Sequence, residues 1–337
     1  MNKAAKKSIK ILSIVLSVAV GTFLLLYLIL AIIGGVSYVE ARGGREYACT
    51  IPVSGGVAPQ GLTYSETHKS YVITGYDKKG YAALFTVKGK KYKKVTLYGT
   101  DGKLLKGHAG GVTLTKNCLY IANDNSLVLY STDEIFGGSG KATAQAVIPV
   151  DNRAAYCYSD DDYLYVGEFY RKGNYETEKS HHYKTPDGEQ NMAIVSCYKL
   201  DENGLLEDAD TQPYPLYSIS LPSLVQGFAT HEGSYILSRS YGLKNSHLDY
   251  HSRSENSGTT IPVKFKLNKD AEEREVPLYY LDSTTLSKSL TLPAFSEDIT
   301  IVRDRVAVCN EASANRYFVG KLFGANKVYT YPIYTEE

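Results

Sequence analysis

The chain has 337 residues, 37 basic and 36 acidic side chains, a formal net charge of +1 and 43% apolar residues, enough to bury a sizeable core. Setting aside Lys3, Lys6, Lys7 and Lys10 leaves 33 basic residues against 36 acidic ones, with no basic stripe to neutralise phosphates, so nucleic acid is excluded as a partner. Cys49, Cys118, Cys157, Cys197 and Cys309 show no CxxC spacing; they read as small apolar residues on buried strand faces, not as a disulfide framework.

Residues 11–33, ILSIVLSVAVGTFLLLYLILAII, carry no charge and are long enough to cross a hydrocarbon layer of roughly 30 Å. The preceding lysines, with no acidic residue among them, put residues 1–10 in the cytoplasm and everything after Gly34 outside. The segment is read as an uncleaved single-pass anchor in the cell membrane. The alternative is secretion after signal cleavage near Val39–Ala41. Residues 34–46 then form a short stalk, and residues 47–337 a separate domain.

From Tyr47 onward the hydrophobic period is two, so the domain is all-β. The runs SYVITGY, CLYIAND, DYLYVGEF, GSYILSRS and DRVAVCNE align at Tyr71, Tyr120, Tyr165, Tyr235 and Val306, at spacings of 49, 45, 70 and 71. Each follows a related stretch: APQGLTYS, HAGGVTL, NRAAYCYS, VQGFATH or EDITIV. Each also precedes a third strand candidate: AALFTVKG, SLVLYST, AIVSCYKL, VPLYYLD or KVYTYPI. The unit is an inner strand, two middle strands and an outer strand, and five such units predict a five-bladed β-propeller. YACTIPV, residues 47–53, supplies the outer strand of the last blade. Pro52, Pro149, Pro222 and Pro293 stand at the ends of outer strands, where a missing ladder donor costs least. TIPVKFKLN, from Thr260, is an extra strand candidate that leaves six blades as the alternative.

The wide spacings imply insertions between second and third strands, YRKGNYETEKSHHYKTPDGEQN in blade three and residues 241–275 in blade four, both overhanging one mouth of the central channel. Candidate ligand-binding residues converge there. Gln60, His108, Gln226, Glu297 and Asp298 lie at or just before inner strands; Asn123, Glu168, Arg239, Asn310 and Glu311 lie at the exits of second strands. The competing reading is that these groups satisfy backbone atoms and one another.

Neither His181–His182 nor His247 and His251 has metal-ligand spacing, and Asp160–Asp162 lacks the glycine and distal glutamate of a calcium loop, so no metal or cofactor is expected. Thirty tyrosines and no tryptophan suit half-buried strands, although aromatic faces also stack on ligands. No GxSxG, HExxH, phosphate-binding or dinucleotide signature occurs.

The inner-strand pattern PQGLTYS…SYVITGYD and its variants resemble the non-WD propellers of bacterial exported proteins, the lactonase-like, senescence-marker-protein-like and glutaminyl-cyclase-like groups. The resemblance spans nearly all of residues 47–334 and implies a propeller; no catalytic residue is carried over from it. Gln60–Leu62 looks like a blade start of the five-bladed glutaminyl cyclases, but VITGYD departs from what that family has after its second strand. The expected function is a membrane-anchored extracytoplasmic module that binds a small molecule, a cell-wall glycan or a membrane-protein partner at the mouth. The alternative is a hydrolase or lyase using Glu297, Glu311, Glu168 and His108 there.

Overall fold

A computed structural model describes residues 3–40, 44–52, 56–208, 212–253 and 256–334. The chain starts with one long helix, α1 (Lys3–Glu40). It contains a stretch, Ala5–Val36, that is long and apolar enough to cross a membrane. No proline interrupts GGVSYVE, so the helix continues through residues 34–40, which the sequence places in a stalk. Residues 41–43 of that stalk lie outside the described residues.

The rest is mostly strand. After β1 (Glu46–Thr50) comes an antiparallel meander of β2 (Ala58–Ser65), β3 (Ser70–Tyr76), β4 (Ala82–Lys88) and β5 (Lys91–Tyr98). Then β6 (Gly111–Leu114) pairs with β7 (Cys118–Ser131), which folds back on itself about Asp124, at φ +55°, so that Thr132 N donates to Asn117 O at 3.1 Å. A short helix, α2 (Thr132–Phe136), leads to β8 (Lys141–Thr143), which lies parallel to β5. β9 (Ala146–Ser159) serves two neighbours: its first half pairs with β7 and its second with β10 (Tyr163–Glu168). Pro149 sits inside β9, in the part that pairs with β7, whereas Pro52, Pro222 and Pro293 follow strand ends.

An insertion holding the small hairpin β11 (Tyr183–Lys184) and β12 (Gln190–Asn191) precedes β13 (Ala193–Lys199) and β14 (Tyr217–Leu221). Next come β15 (Val225–His231), β16 (Ser234–Arg239) and β17 (Ser246–His251), a hairpin of β18 (Asn256–Val263) with β19 (Arg274–Tyr280), and β20 (Leu286–Leu292). The chain closes with β21 (Ser296–Val302), β22 (Arg305–Asn310) and β23 (Lys327–Pro332), and β1 pairs antiparallel with β23, as the sequence reading expects of residues 47–52; Val53 lies outside the described residues.

The fourth unit differs from the sequence reading. Its third strand is SHLDYH in β17, which pairs with β16 and β20, not VPLYYLD. VPLYYLD falls in β19, which runs parallel to β14 and covers that strand's open edge, while β18, containing TIPV, pairs on β19's far side. The long insertion therefore leaves from β17 at the end away from the mouth and lines the outside of the third sheet. What closes over the mouth from the fourth sheet is the short β16–β17 connection. The pattern misled because both segments alternate; β17 buries Leu248 and Tyr250, and β19 buries Val276 and Leu278.

Burial falls from inner to outer strands except at β14, which β19 covers. Most of β2 and β21 is buried, whereas β20 buries only Leu292 and β5 only Val95 and Leu97. The apolar cores are layers between sheets: Leu62, Phe85, Cys309 and Val328 in one, Leu84, Val112, Leu119 and Tyr130 in the next, and Tyr165, Phe228, Leu237 and Val308 in a third. All five cysteines are free and buried.

β2 packs on β6 and β21, β6 on β9, and β9 and β21 on β15. The recurring glycine of QGL, GGV and QGF makes this approach possible. A Cβ on Gly61 would lie 2.9 Å from the Gly111 carbonyl carbon, and one on Gly227 2.8 Å from Asp298 Cα. Gly227→Val should cost about 1–3 kcal/mol in urea unfolding, since the backbone it meets cannot swing aside; an unchanged midpoint would contradict this close packing.

Candidate active site

The inner-strand residue just before each glycine, or before its counterpart, faces a single cavity of about 400 Å³. Gln60, Gly110, Ala155, Gln226 and Glu297 form its floor. The walls are largely aromatic: Tyr76, Phe169, Tyr175, Tyr241, Phe295 and Tyr317, with His108, Asp124, Arg153 and Glu311 between them. The volume lies within the range of small-molecule sites, and a few polar groups converge in an apolar surround.

Two carboxyl groups dominate its chemistry. Glu297, from β21, and Glu311, from the 3-10 turn that follows β22, are both buried. Burial raises the Glu297 pKa well above the usual carboxylate range, and the adjacent Glu311 and Asp298 add to the rise. Glu311 is raised as well, again by burial first, but Tyr317, Arg316 and Gln60 oppose the rise. Each of the two carboxyls acts on the titration of the other. The two carboxyls titrate as a pair whose burial favours the form that holds a proton, and of the two Glu297 is raised the further.

Tyr317 Oη donates to Glu311 Oε1 at 2.7 Å, and Gln226 Nε2 reaches Glu297 Oε1 at 3.5 Å. The Arg316 guanidinium lies 4.4 Å over the Tyr76 ring and donates to its hydroxyl at 3.2 Å, while His108 packs edge-on against the same ring at 4.6 Å. Replacing Tyr317 by Phe removes a hydrogen bond to a charged acceptor, worth about 1.5–3 kcal/mol. The Glu311 pKa should rise by about 1 unit or more, read by carboxyl 13C NMR; no change would remove Tyr317 from the account.

Five of the ten expected residues, Gln60, His108, Gln226, Glu297 and Glu311, line the cavity. The other five are bound up beside it. Asn123 Oδ1 accepts from Ala109 N and its Nδ2 donates to Lys106 O, bracing a crossing loop. Glu168 accepts from the amides of Arg153 and Ile194 and pairs with His181 Nδ1 at 3.0 Å. Arg239 donates to Asp249 at 2.9 Å and to Ser223 O. Asp298 accepts from the amides of Leu62, Val112 and Ile299, tying three segments where inner strands converge; burial raises its pKa while these donors oppose the rise. Asn310 donates to Ala294 O and caps the Glu311 turn.

The aromatic walls escaped the sequence reading. Their signal was the repeat taken one or two residues further: Tyr76, Phe169 and Tyr241 close or follow second strands in TGYD, GEFY and RSYG. Elsewhere, His182 meets Thr177 and His251 meets Thr285, and Asp160 accepts from Asp162 N and Tyr163 N in a hairpin turn. Among the described residues, no group of three or more His, Cys, Asp or Glu side chains is placed to hold a metal ion.

No protein-family profile matches the chain, and no curated protein does. Solved structures do. A GH43_1 enzyme from Xanthomonas citri complexed with xylotriose is 12% identical, with 86% of this chain and 91% of that one covered and a TM-score of 0.42. RS223-Beta-xylosidase is 10% identical, with 87% and 95% covered and a TM-score of 0.42. Myxococcus xanthus glutaminyl cyclase is 10% identical, with 86% and 97% covered and a TM-score of 0.38. These structures are β-propeller enzymes, and the likeness concerns chain path alone.

Proposed function

We propose that the chain is a membrane-anchored, extracytoplasmic enzyme of the hydrolase or lyase class, built as a closed five-bladed propeller, with Glu297 and Glu311 as its proton-transfer pair. The observation that carries this reading is the pair itself: two buried carboxyls with raised pKa values, both lining an open cavity. Such a pair stores a proton near neutral pH, as acid–base catalysis requires. Glu297 is the acid. Glu311, held by Tyr317, takes the charge and serves as the base once the proton has left.

The proposed chemistry is protonation of the leaving-group oxygen by Glu297 as its bond breaks, with Glu311 taking the proton of the attacking water in a hydrolase or of a substrate carbon in a lyase, and with the aromatic walls stacking on a sugar ring. His108, an exposed lining residue packed on Tyr76, is the group proposed to pass that proton to solvent.

The five-blade reading is supported by the packing of β2, β6, β9, β15 and β21 on one another and by the pairing of β1 with β23. Anchoring is supported by the length and composition of α1 and by the leading lysines.

The test is turnover of a panel of chromogenic glycosides and uronic-acid glycans by the full chain in detergent. Turnover of one class, with a rate that falls at both ends of the pH range and is lost in Glu297→Gln, supports the proposal. Saturable binding of a panel member without product, equal in Glu297→Gln, would leave a binding protein instead.

A further inference from the structure

The cavity and the membrane helix meet in one loop. Residues 311–326 join β22 to β23; they carry Glu311 and Tyr317 into the cavity wall and turn Phe318, Val319 and Leu322 toward α1. Tyr27 of α1 packs its ring 5.4 Å from that of Phe318, and Leu30 joins the cluster that holds Phe295 and Tyr317. Gly34 comes closest: a Cβ there would stand 2.3 Å from the Leu322 carbonyl oxygen. Tyr27, Leu30 and Gly34 lie on one helix face and are the least exposed part of an otherwise bare helix.

Depth follows from these contacts. Tyr27 lies nine residues before Val36, the last residue of the stretch apolar enough to cross a membrane, or about 13.5 Å along the axis. A loop that touches both Tyr27 and Gly34 therefore reaches from near the outer boundary into the apolar layer. Phe318 is 59% exposed, which is costly in water but suited to that depth.

The remaining connections at the mouth agree. Tyr175, Tyr241 and Leu243, from two other loops, are also exposed there. Around them stand exposed Lys172, Lys244, Arg316 and Lys321, against Asp124 and Glu176. Apolar tips with a cationic surround match a bilayer interface bearing anionic headgroups.

We infer that the cavity mouth rests on the outer surface of the membrane, with Phe318 in the apolar layer, so that the cavity receives the polar head of a ligand held in the bilayer by its own tail. This rests on the anchor reading of α1. The occupant of the apolar tips is lipid, not a second protein.

The test uses the full chain in nanodiscs of phosphatidylcholine and phosphatidylglycerol, with bimane-labelled cysteine variants and doxyl-lipid quenchers. The labelled sites are Phe318→Cys, Leu243→Cys, Arg303→Cys in the β21–β22 turn at the opposite end, and Val15→Cys in α1. Quenching at residues 318 and 243 at least about threefold above that at residue 303, with residue 15 quenched, supports the inference. Residue 15 quenched while 318 and 243 match 303 overturns it and leaves the anchor standing. Residue 15 unquenched overturns the anchor reading and the inference with it.

Discussion

Glu297→Gln should lower turnover by about 10²- to 10⁴-fold, the usual contribution of a positioned general acid, while making the fold more resistant to alkali. The second effect follows from the proton that the pair holds. Burial raises the pKa of both carboxyls, and the neighbouring Glu311 and Asp298 add to the rise of Glu297, against about 4.3 in the unfolded chain. The folded state thus binds more protons than the unfolded one, so stability is complete below about pH 4.3 and falls as pH rises through the raised values. Each unit of displacement is worth about 1.4 kcal/mol. Glutamine removes one carboxyl, so the alkaline loss should shrink in urea melts between pH 5 and 9. A variant that loses activity without gaining alkaline stability would show that Glu297 is not the protonated member.

His181→Ala should have the largest effect on stability and little on chemistry. Glu168 and His181 are both buried, and their pair sits behind the cavity wall, in contact with the Arg153 and Ile194 amides. Burial alone would depress His181, but the hydrogen bond to Glu168 and the charges of Glu168 and Asp151 raise it above its ordinary value. Removing the cation leaves a buried carboxylate without its partner, at a cost of about 3–5 kcal/mol. Glu168→Gln in the same chain should restore part of that loss. The sign with pH is that of a raised histidine: the contribution is present below the unfolded value of about 6.5 and lost as pH rises through the higher folded one. If His181→Ala melts like wild type at pH 6, the pair does not hold the insertion in place.

These two pairs show what the sequence makes legible. Strand order, the returning β1 and the glycine at each close approach are local patterns repeated along the chain, and Gln60, Gln226 and Glu297 are found because each precedes that glycine or its counterpart. Partners brought together by the fold leave no such mark. Glu168 and Arg239 look like ligand residues by position, yet His181 and Asp249 occupy them. Asp298 stands at the repeat's glycine position, and only the meeting of β2, β6 and β21 reveals that its carboxylate receives their amides. The fourth unit was misplaced for a related reason, since alternation reports a half-buried strand but not which sheet edge it covers.

The most direct test of the account is the infrared spectrum of the full chain at pH 7, with wild type compared against Glu297→Gln. The shared-proton reading predicts a protonated carboxyl stretch in wild type that is missing from the variant and that persists above the pH at which an ordinary glutamate ionises. A wild-type spectrum with no protonated carboxyl above pH 6 would mean that both glutamates are ionised, and the acid–base pair would not exist.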